Sequence, residues 1–261
     1  MSEQSVCLRK TAVNKFLLSP LFFLFLCCWG CSPRYTPPQY EQPKRRLAPA
    51  SPNQTPDMVD LNRTGWSSGK NIIVLDPGHG GDDYGTNSNG NPKFYEKYLN
   101  LSTTLIVKAF LEQKGYTVRL TRTNDTFIPL DERAEFANRL GAQLFVSIHY
   151  NSAPSKDAEG LEVFYYLDKE NATRTEESKR LAKCALEQII HQTGVKSRGV
   201  KQANFAVIRK TDMPAILIEG GFLTNEKEME KIKTSAYQKQ LAQGITHGIT
   251  DYLARAPLLK K

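Results

Sequence analysis

The stretch Asn71-Ile72-Ile73-Val74-Leu75-Asp76-Pro77-Gly78-His79-Gly80-Gly81 constrains the fold more than any other part of the chain. A near-continuous apolar run of this kind reads as a strand buried on both faces, the situation of a strand inside a parallel sheet. Pro77 and the glycines end it abruptly. They leave His79 at the carboxyl end of the strand, on a loop whose glycines let the backbone come close to a ligand. Open α/β sheets bind ligands beyond the carboxyl ends of their strands, so His79 stands where chemistry is expected. Taken alone, a histidine in a glycine-rich turn is more often structural than functional.

The same arrangement recurs downstream. Helical periodicity covers Tyr98–Lys114, Leu130–Leu140, Glu176–Gln192 and Tyr237–Leu253, with Gly115, Gly141 and Gly194 closing the first three. Strands are predicted at Thr117–Thr121, Gln143–Ile148, Leu161–Leu167, Phe205–Arg209 and Ala215–Ile218. This alternation predicts a single α/β catalytic domain over residues 70–255, a three-layer α/β/α arrangement. Its sheet is mostly parallel or mixed, with helices on both faces. The strand at Gln143–Ile148 runs into His149, and the one at Ala215–Ile218 runs into Glu219-Gly220-Gly221. In such a sheet His79, His149 and Glu219 converge along one edge. Any one of them reads as an ordinary core or loop residue; three in the same topological position read as a site.

Two histidines and a carboxylate suit zinc, which takes such ligands at about 2 Å and keeps a fourth position for water in catalytic sites. Spacing leaves Glu219 as either the third ligand or a base. Glu96, in Phe94-Tyr95-Glu96-Lys97, is another carboxylate candidate, with favourable charge at a helix N-terminus as its simpler role.

The flanks read differently. Arg9, Lys10 and Lys15 precede an apolar run over Phe16–Trp29, shorter than the roughly 20 residues of a spanning helix. Residues 1–31 therefore read as an export signal. Its end at Gly30-Cys31 resembles a bacterial lipoprotein signal with Cys31 as the lipidated residue, an uncleaved anchor or plain secretion being the alternatives. Residues 32–69 are rich in Pro, Gln, Asn and Ser and cannot bury enough apolar surface to fold, so they read as a disordered tether. Residues 256–261 read as a basic tail. Four of the five cysteines fall within residues 1–31, which leaves Cys184 without an intramolecular partner in the domain, as a small core hydrophobe. The formal charge of +8 suits an acidic polymer, and no nucleic-acid motif accompanies it.

Together, Asp76-Pro77-Gly78-His79-Gly80-Gly81, Glu96 at the head of a helix, Ser147-Ile148-His149-Tyr150-Asn151 and Glu219-Gly220-Gly221-Phe222-Leu223-Thr224-Asn225 resemble the zinc-dependent N-acetylmuramoyl-L-alanine amidases (type 3). Leu130, Arg133 and Asn138 extend the likeness, which spans about Asn71 to Leu253 in order. The resemblance implies one Zn2+ per chain held by His79, Glu96 and His149, with Glu219 as catalytic base. It implies hydrolysis of the amide between N-acetylmuramic acid and the L-alanine of the peptidoglycan stem peptide, in cell-wall remodelling and daughter-cell separation. Arg133 and Asn151 are candidate substrate-binding residues. The interval 149–219 lacks the long insertion that covers the zinc in some envelope members, so the chain looks like the short, open form, for which an activator protein is possible but not required. Peptidoglycan and its muropeptides are the expected partners, together with the membrane through a lipid or N-terminal anchor. A periplasmic lipoprotein of a bacterial envelope is the expected setting.

Three other readings compete. A non-catalytic peptidoglycan-binding lipoprotein would predict a damaged site, yet all four positions are intact. A zinc carboxypeptidase would carry His-x-x-Glu, whereas Asp82 and Ser152 stand three residues beyond the two histidines. Ser67-Ser68-Gly69-Lys70 matches Ser-x-x-Lys of serine penicillin-binding carboxypeptidases, a pattern expected about once by chance in a chain of this size.

Overall fold

A computed structural model describes residues 71–255. The expected signal, Cys31, the tether, Ser67 and Lys70, and the basic tail lie outside the described residues. The elements run β1 (Ile72–Pro77), α1 (Glu96–Gln113), β2 (Thr117–Leu120), α2 (Leu130–Arg139), β3 (Leu144–Asn151) and β4 (Leu161–Tyr165). They continue with α3 (Ala172–Thr193), β5 (Ser197–Gln202), α4 (Ala206–Arg209), β6 (Ala215–Phe222), α5 (Glu226–Ile232) and α6 (Ser235–Ala254).

The strands form one sheet in the order β2-β1-β3-β6-β4-β5. Strands β2, β1, β3 and β6 are mutually parallel; β4 runs antiparallel to β6, and β5 runs parallel to β4. The sheet is therefore mixed. Side chains alternate between its two faces with the period of two that a strand dictates. Ile73, Leu75, Val146, Ile148, Ile216 and Ile218 pack with α1, α3, α5 and α6 on one side. Ile72, Val74, Phe145, Leu217 and Phe164 pack with α2 and α4 on the other. Both faces are covered, which is why β1 and the first half of β6 read as unbroken apolar runs.

Local chemistry sets the helix ends. Asn171 caps α3 by accepting from Arg174 N–H, and Gly194 closes it in the left-handed conformation. Thr234 caps α6 through Tyr237 N–H. Gly244 and Gly248 let α6 lie against the α3 backbone: a Cβ on them would come within 2.5 Å of the Ile189 Cα and 2.4 Å of the Ala185 Cα. Cys184 is buried in the α3 core, as expected.

Several element assignments need correction. Phe205–Arg209, read as a strand, is entered by the short helix α4, whose Val207 and Ile208 fill the second face of the core. An apolar run of four or five residues does not distinguish strand from helix. The strand next to β4 is instead β5, Ser-Arg-Gly-Val-Lys-Gln, a charged edge strand with almost no apolar signal. Helix α5 was not anticipated, and β3 and β6 continue past the residues predicted to end them.

Candidate metal centre

Strand β1 ends at Pro77, and the chain then turns so sharply that His79 adopts φ 62°, the one left-handed non-glycine residue among those described. Such backbone is strained by roughly 1–3 kcal/mol and persists only where its surroundings fix it. Two buried guanidiniums do so. Arg133 donates to Pro77 O, His79 O and Ile128 O at 2.9, 2.8 and 2.8 Å, and to Asp76 Oδ1 at 2.8 Å. Arg122 donates to Pro77 O and Gly78 O at 2.9 and 2.7 Å. The loop carrying His79 is thus tied to the chain at three successive carbonyls. Asp76 balances Arg133 and accepts also from Thr121 and Ser147. Burial favours the neutral acid at Asp76, but Arg133 and the two hydroxyls outweigh it and hold the carboxyl below its usual range.

Glu96 opens α1 and its carboxylate is buried. Oε2 accepts from Thr86 N–H at 2.9 Å, and Oε1 accepts from Asn100 Nδ2 and Tyr150 N–H at 3.2 and 3.3 Å. Each oxygen also faces an imidazole: His79 Nε2 lies 3.1 Å from Oε2, and His149 Nδ1 lies 2.9 Å from Oε1. The two rings stand edge to face, 4.9 Å apart. One donor atom from each of His79, Glu96 and His149 falls within 4.8 Å of the others. Ligands at about 2 Å around a tetrahedral ion are about 3.3 Å apart, close to the two nitrogen–oxygen distances seen here.

Asp83, a residue with no motif to mark it, accepts from His79 Nδ1 at 2.9 Å. That bond would fix the tautomer with Nε2 toward an ion, the usual support for a metal-binding histidine. Close packing completes the cradle. A Cβ on Gly78 would fall 2.0 Å from His149 Cε1, and one on Gly85 would fall 2.5 Å from Glu96 Oε2. Burial disfavours a charged His79, yet Glu96 and Asp83 raise it to about 10. Burial likewise disfavours ionised Glu96, and the two imidazoles lower it well below its ordinary range.

Glu219 lies inside β6, not after it, in register with His149 on one side and Glu162 on the other. The residue is half-buried, but its Oε2 is out of solvent and has no hydrogen-bond partner among the described residues. Burial, then repulsion from Glu96 and Glu162, raises its pKa well above the ordinary value. A buried carboxylate oxygen with no partner costs free energy unless a proton, a cation or a ligand satisfies it. These donors fit a zinc ion.

The two expected substrate contacts fall in other settings. Arg133 is 1% exposed, and its guanidinium is occupied under the His79 loop. Asn151 donates to Glu162 Oε1 at 2.7 Å and accepts from Ser152 N–H at 2.8 Å. Asp83, Arg122 and Glu162 went unremarked in the sequence because their roles depend on partners distant in the chain.

Fold and donor set define a class: α/β proteins with a metal-capable centre at the edge of the sheet where the parallel strands end. Within that class, residues 73–251 match the N-acetylmuramoyl-L-alanine amidase family, and the chain belongs to it. A probable cell wall amidase, LytH, of Staphylococcus saprophyticus is 36% identical over 182 residues, 70% of this chain and 58% of that one. The chain thus spans little more than half of that relative. An uncharacterized Bacillus subtilis protein, YqiI, is 37% identical over 180 residues, 69% of this chain and 84% of its own. The crystal structure of an N-acetylmuramoyl-L-alanine amidase from Clostridium difficile 630 superposes with TM-score 0.68 at 40% identity, covering 73% of this chain and all of that one. The CwlD amidase of Clostridioides difficile, solved in complex with the GerS lipoprotein, superposes with TM-score 0.66 at 32% identity, over 71% of this chain and 100% of that one.

Proposed function

We propose that the protein is a zinc hydrolase of peptidoglycan that cleaves the amide between N-acetylmuramic acid and the L-alanine of the stem peptide. The observation that carries this reading is Glu219 Oε2, buried beside the His79–Glu96–His149 donor set with no hydrogen-bond partner among the described residues. His79 and His149 would hold the ion through imidazole nitrogen and Glu96 through a carboxylate oxygen. An ion held by these three residues would supply Lewis-acid polarisation of a water and of the scissile carbonyl. Asp83 holds the His79 ring by its Nδ1 proton. Glu219 Oε2 takes a proton from the attacking water as oxygen adds to the lactyl carbonyl carbon. When the carbon–nitrogen bond breaks, the same oxygen delivers that proton to the departing alanine nitrogen.

The remaining parts of the reading concern setting. Cell-wall remodelling and daughter-cell separation are the roles that fit this cleavage, and Cys31 is the proposed lipid anchor in the periplasm. Activity without an activator is part of this reading, supported by the interval 149–219, which is occupied by β4, α3, β5 and α4 and leads directly into β6.

The discriminating experiment compares Glu219→Gln with Glu96→Gln in zinc content and turnover on muropeptides. Glu219→Gln keeps its zinc and loses about 10²–10⁴-fold in hydrolysis, as befits a lost general base. Glu96→Gln loses zinc and activity together, since an amide is a poorer ligand. Full turnover in Glu219→Gln would overthrow the mechanism, and the reverse pattern of zinc loss would exchange the two roles.

A further inference from the structure

Strand β4 carries a carboxylate that the reaction above does not use. Glu162 is 0% exposed. It pairs across the sheet with Glu219, which pairs in turn with His149, and alternation puts all three on the face shared by Phe145, Leu217 and Phe164. An ionised carboxylate at that depth requires charged partners. It has two: Arg198 Nε donates to Oε2 at 3.0 Å, and Lys201 Nζ donates to the same oxygen. Both come from β5, where the pairing with β4 shifts register at Leu161/Glu162. That irregularity, as bulges do, redirects side chains.

The pair is not sealed off: the Arg198 and Lys201 side chains are 28% and 31% exposed, while Glu162 is fully covered. The Arg198 guanidinium lies 4.9 Å over the Phe222 ring, which brings it back from the sheet edge to the end of β6 just beyond Glu219. Its Nη1 donates to Glu159 O at 3.3 Å, and its Nη2 has no hydrogen-bond partner among the described residues. A guanidinium fixed at one edge and open at the other suits a carboxylate.

The geometry points to a carboxylate-binding subsite on the Glu219 side of the metal centre, formed by Arg198 with Lys201 beside it. It would take the free α-carboxylate of the stem-peptide residue that follows L-alanine. The identity of the ligand rests on the muramoyl amidase reading; the existence of the subsite does not. Strand β5 stands two strand spacings, about 10 Å, from β6. Two extended residues reach about 7 Å, and the arginine, leaning back over Phe222, closes the gap.

The test uses zinc-loaded full-length protein and measures calorimetric binding of the product-type peptide L-alanyl-γ-D-glutamate. It is compared with two derivatives, one amidated at the α-carboxylate and one at the side-chain terminus. Wild type binds the acid about tenfold more tightly than its α-amide, whereas the terminal amide binds like the acid. Arg198→Gln removes the preference by weakening the acid alone, and Arg198→Lys, which keeps charge without the fork, restores part of it. Lys201→Gln weakens the acid to a smaller degree. Equal binding of acid and α-amide by wild type would overturn the subsite, as would an equal loss for both ligands in Arg198→Gln with partial recovery for neither in Arg198→Lys. A preference lost only with the terminal amide would assign the cations to the chain end and overturn the α-carboxylate assignment. Turnover of muramoyl peptides is measured in parallel. Active enzyme that does not discriminate defeats the subsite alone, and a discriminating protein without turnover defeats the amidase reading alone.

Discussion

At the scale of single residues, the centre depends on groups outside the donor set itself. Asp83 accepts the Nδ1 proton of His79, and carboxylate partners of this kind typically govern metal affinity by 10–100-fold. Asp83→Ala is therefore expected to bind zinc about 10–100-fold more weakly with its fold intact, as read by competition with a chromophoric chelator. Unchanged affinity would remove Asp83 from the site. Asp76 acts on stability. Its folded pKa lies below the ordinary value of 3.8, so its contribution is complete above about pH 4 and is lost as pH falls through the lower folded value. Asp76→Asn leaves the Arg133 charge buried without its partner, at a cost of about 3 kcal/mol near neutrality, the low end for breaking a buried pair because the amide still accepts. Chemical denaturation at pH 7 and again near pH 3 should show that cost shrinking in acid; a constant difference would mean that the ion pair is not its source.

At the scale of elements, legibility followed locality. His79, His149 and Glu219 were visible because each lies at or just past an apolar run that only a buried strand explains. Glu162 and Arg198 were not, because their significance arises from an antiparallel β4 and a register shift in β5 that leave no local pattern. The misread Phe205–Arg209 has the same origin: both α4 and a strand would bury Val207 and Ile208. Arg133, expected as a substrate contact, lies instead as a brace under the His79 loop, since charge on a helix face does not reveal which way it points. Glycine spacing, by contrast, carries geometric information. Gly78 lies against the His149 ring, and Gly78→Ala would drive a methyl to 2.0 Å from Cε1. That variant should fold, lose most of its zinc and lose activity in proportion. Metal analysis on the purified variant checks this, and full occupancy would show that the ring can give way.

At the scale of the whole molecule, the amidase-family domain follows about 70 residues that include Cys31 and a proline-rich run. Fatty-acid labelling in a bacterial host should mark the protein and vanish in Cys31→Ser; persistent labelling would rule that cysteine out as the anchor. Such an attachment would confine the enzyme to peptidoglycan within reach of one membrane.

The rung His149–Glu219–Glu162 has a further consequence. These residues sit on three neighbouring strands and share one face only in the native pairing, and a slip of one residue on any strand would turn its member to the opposite face. Strand registration and assembly of the centre are therefore one event. A refolded preparation should contain competent molecules and dead ones, with nothing half-active between them, so its specific activity counts correctly paired chains.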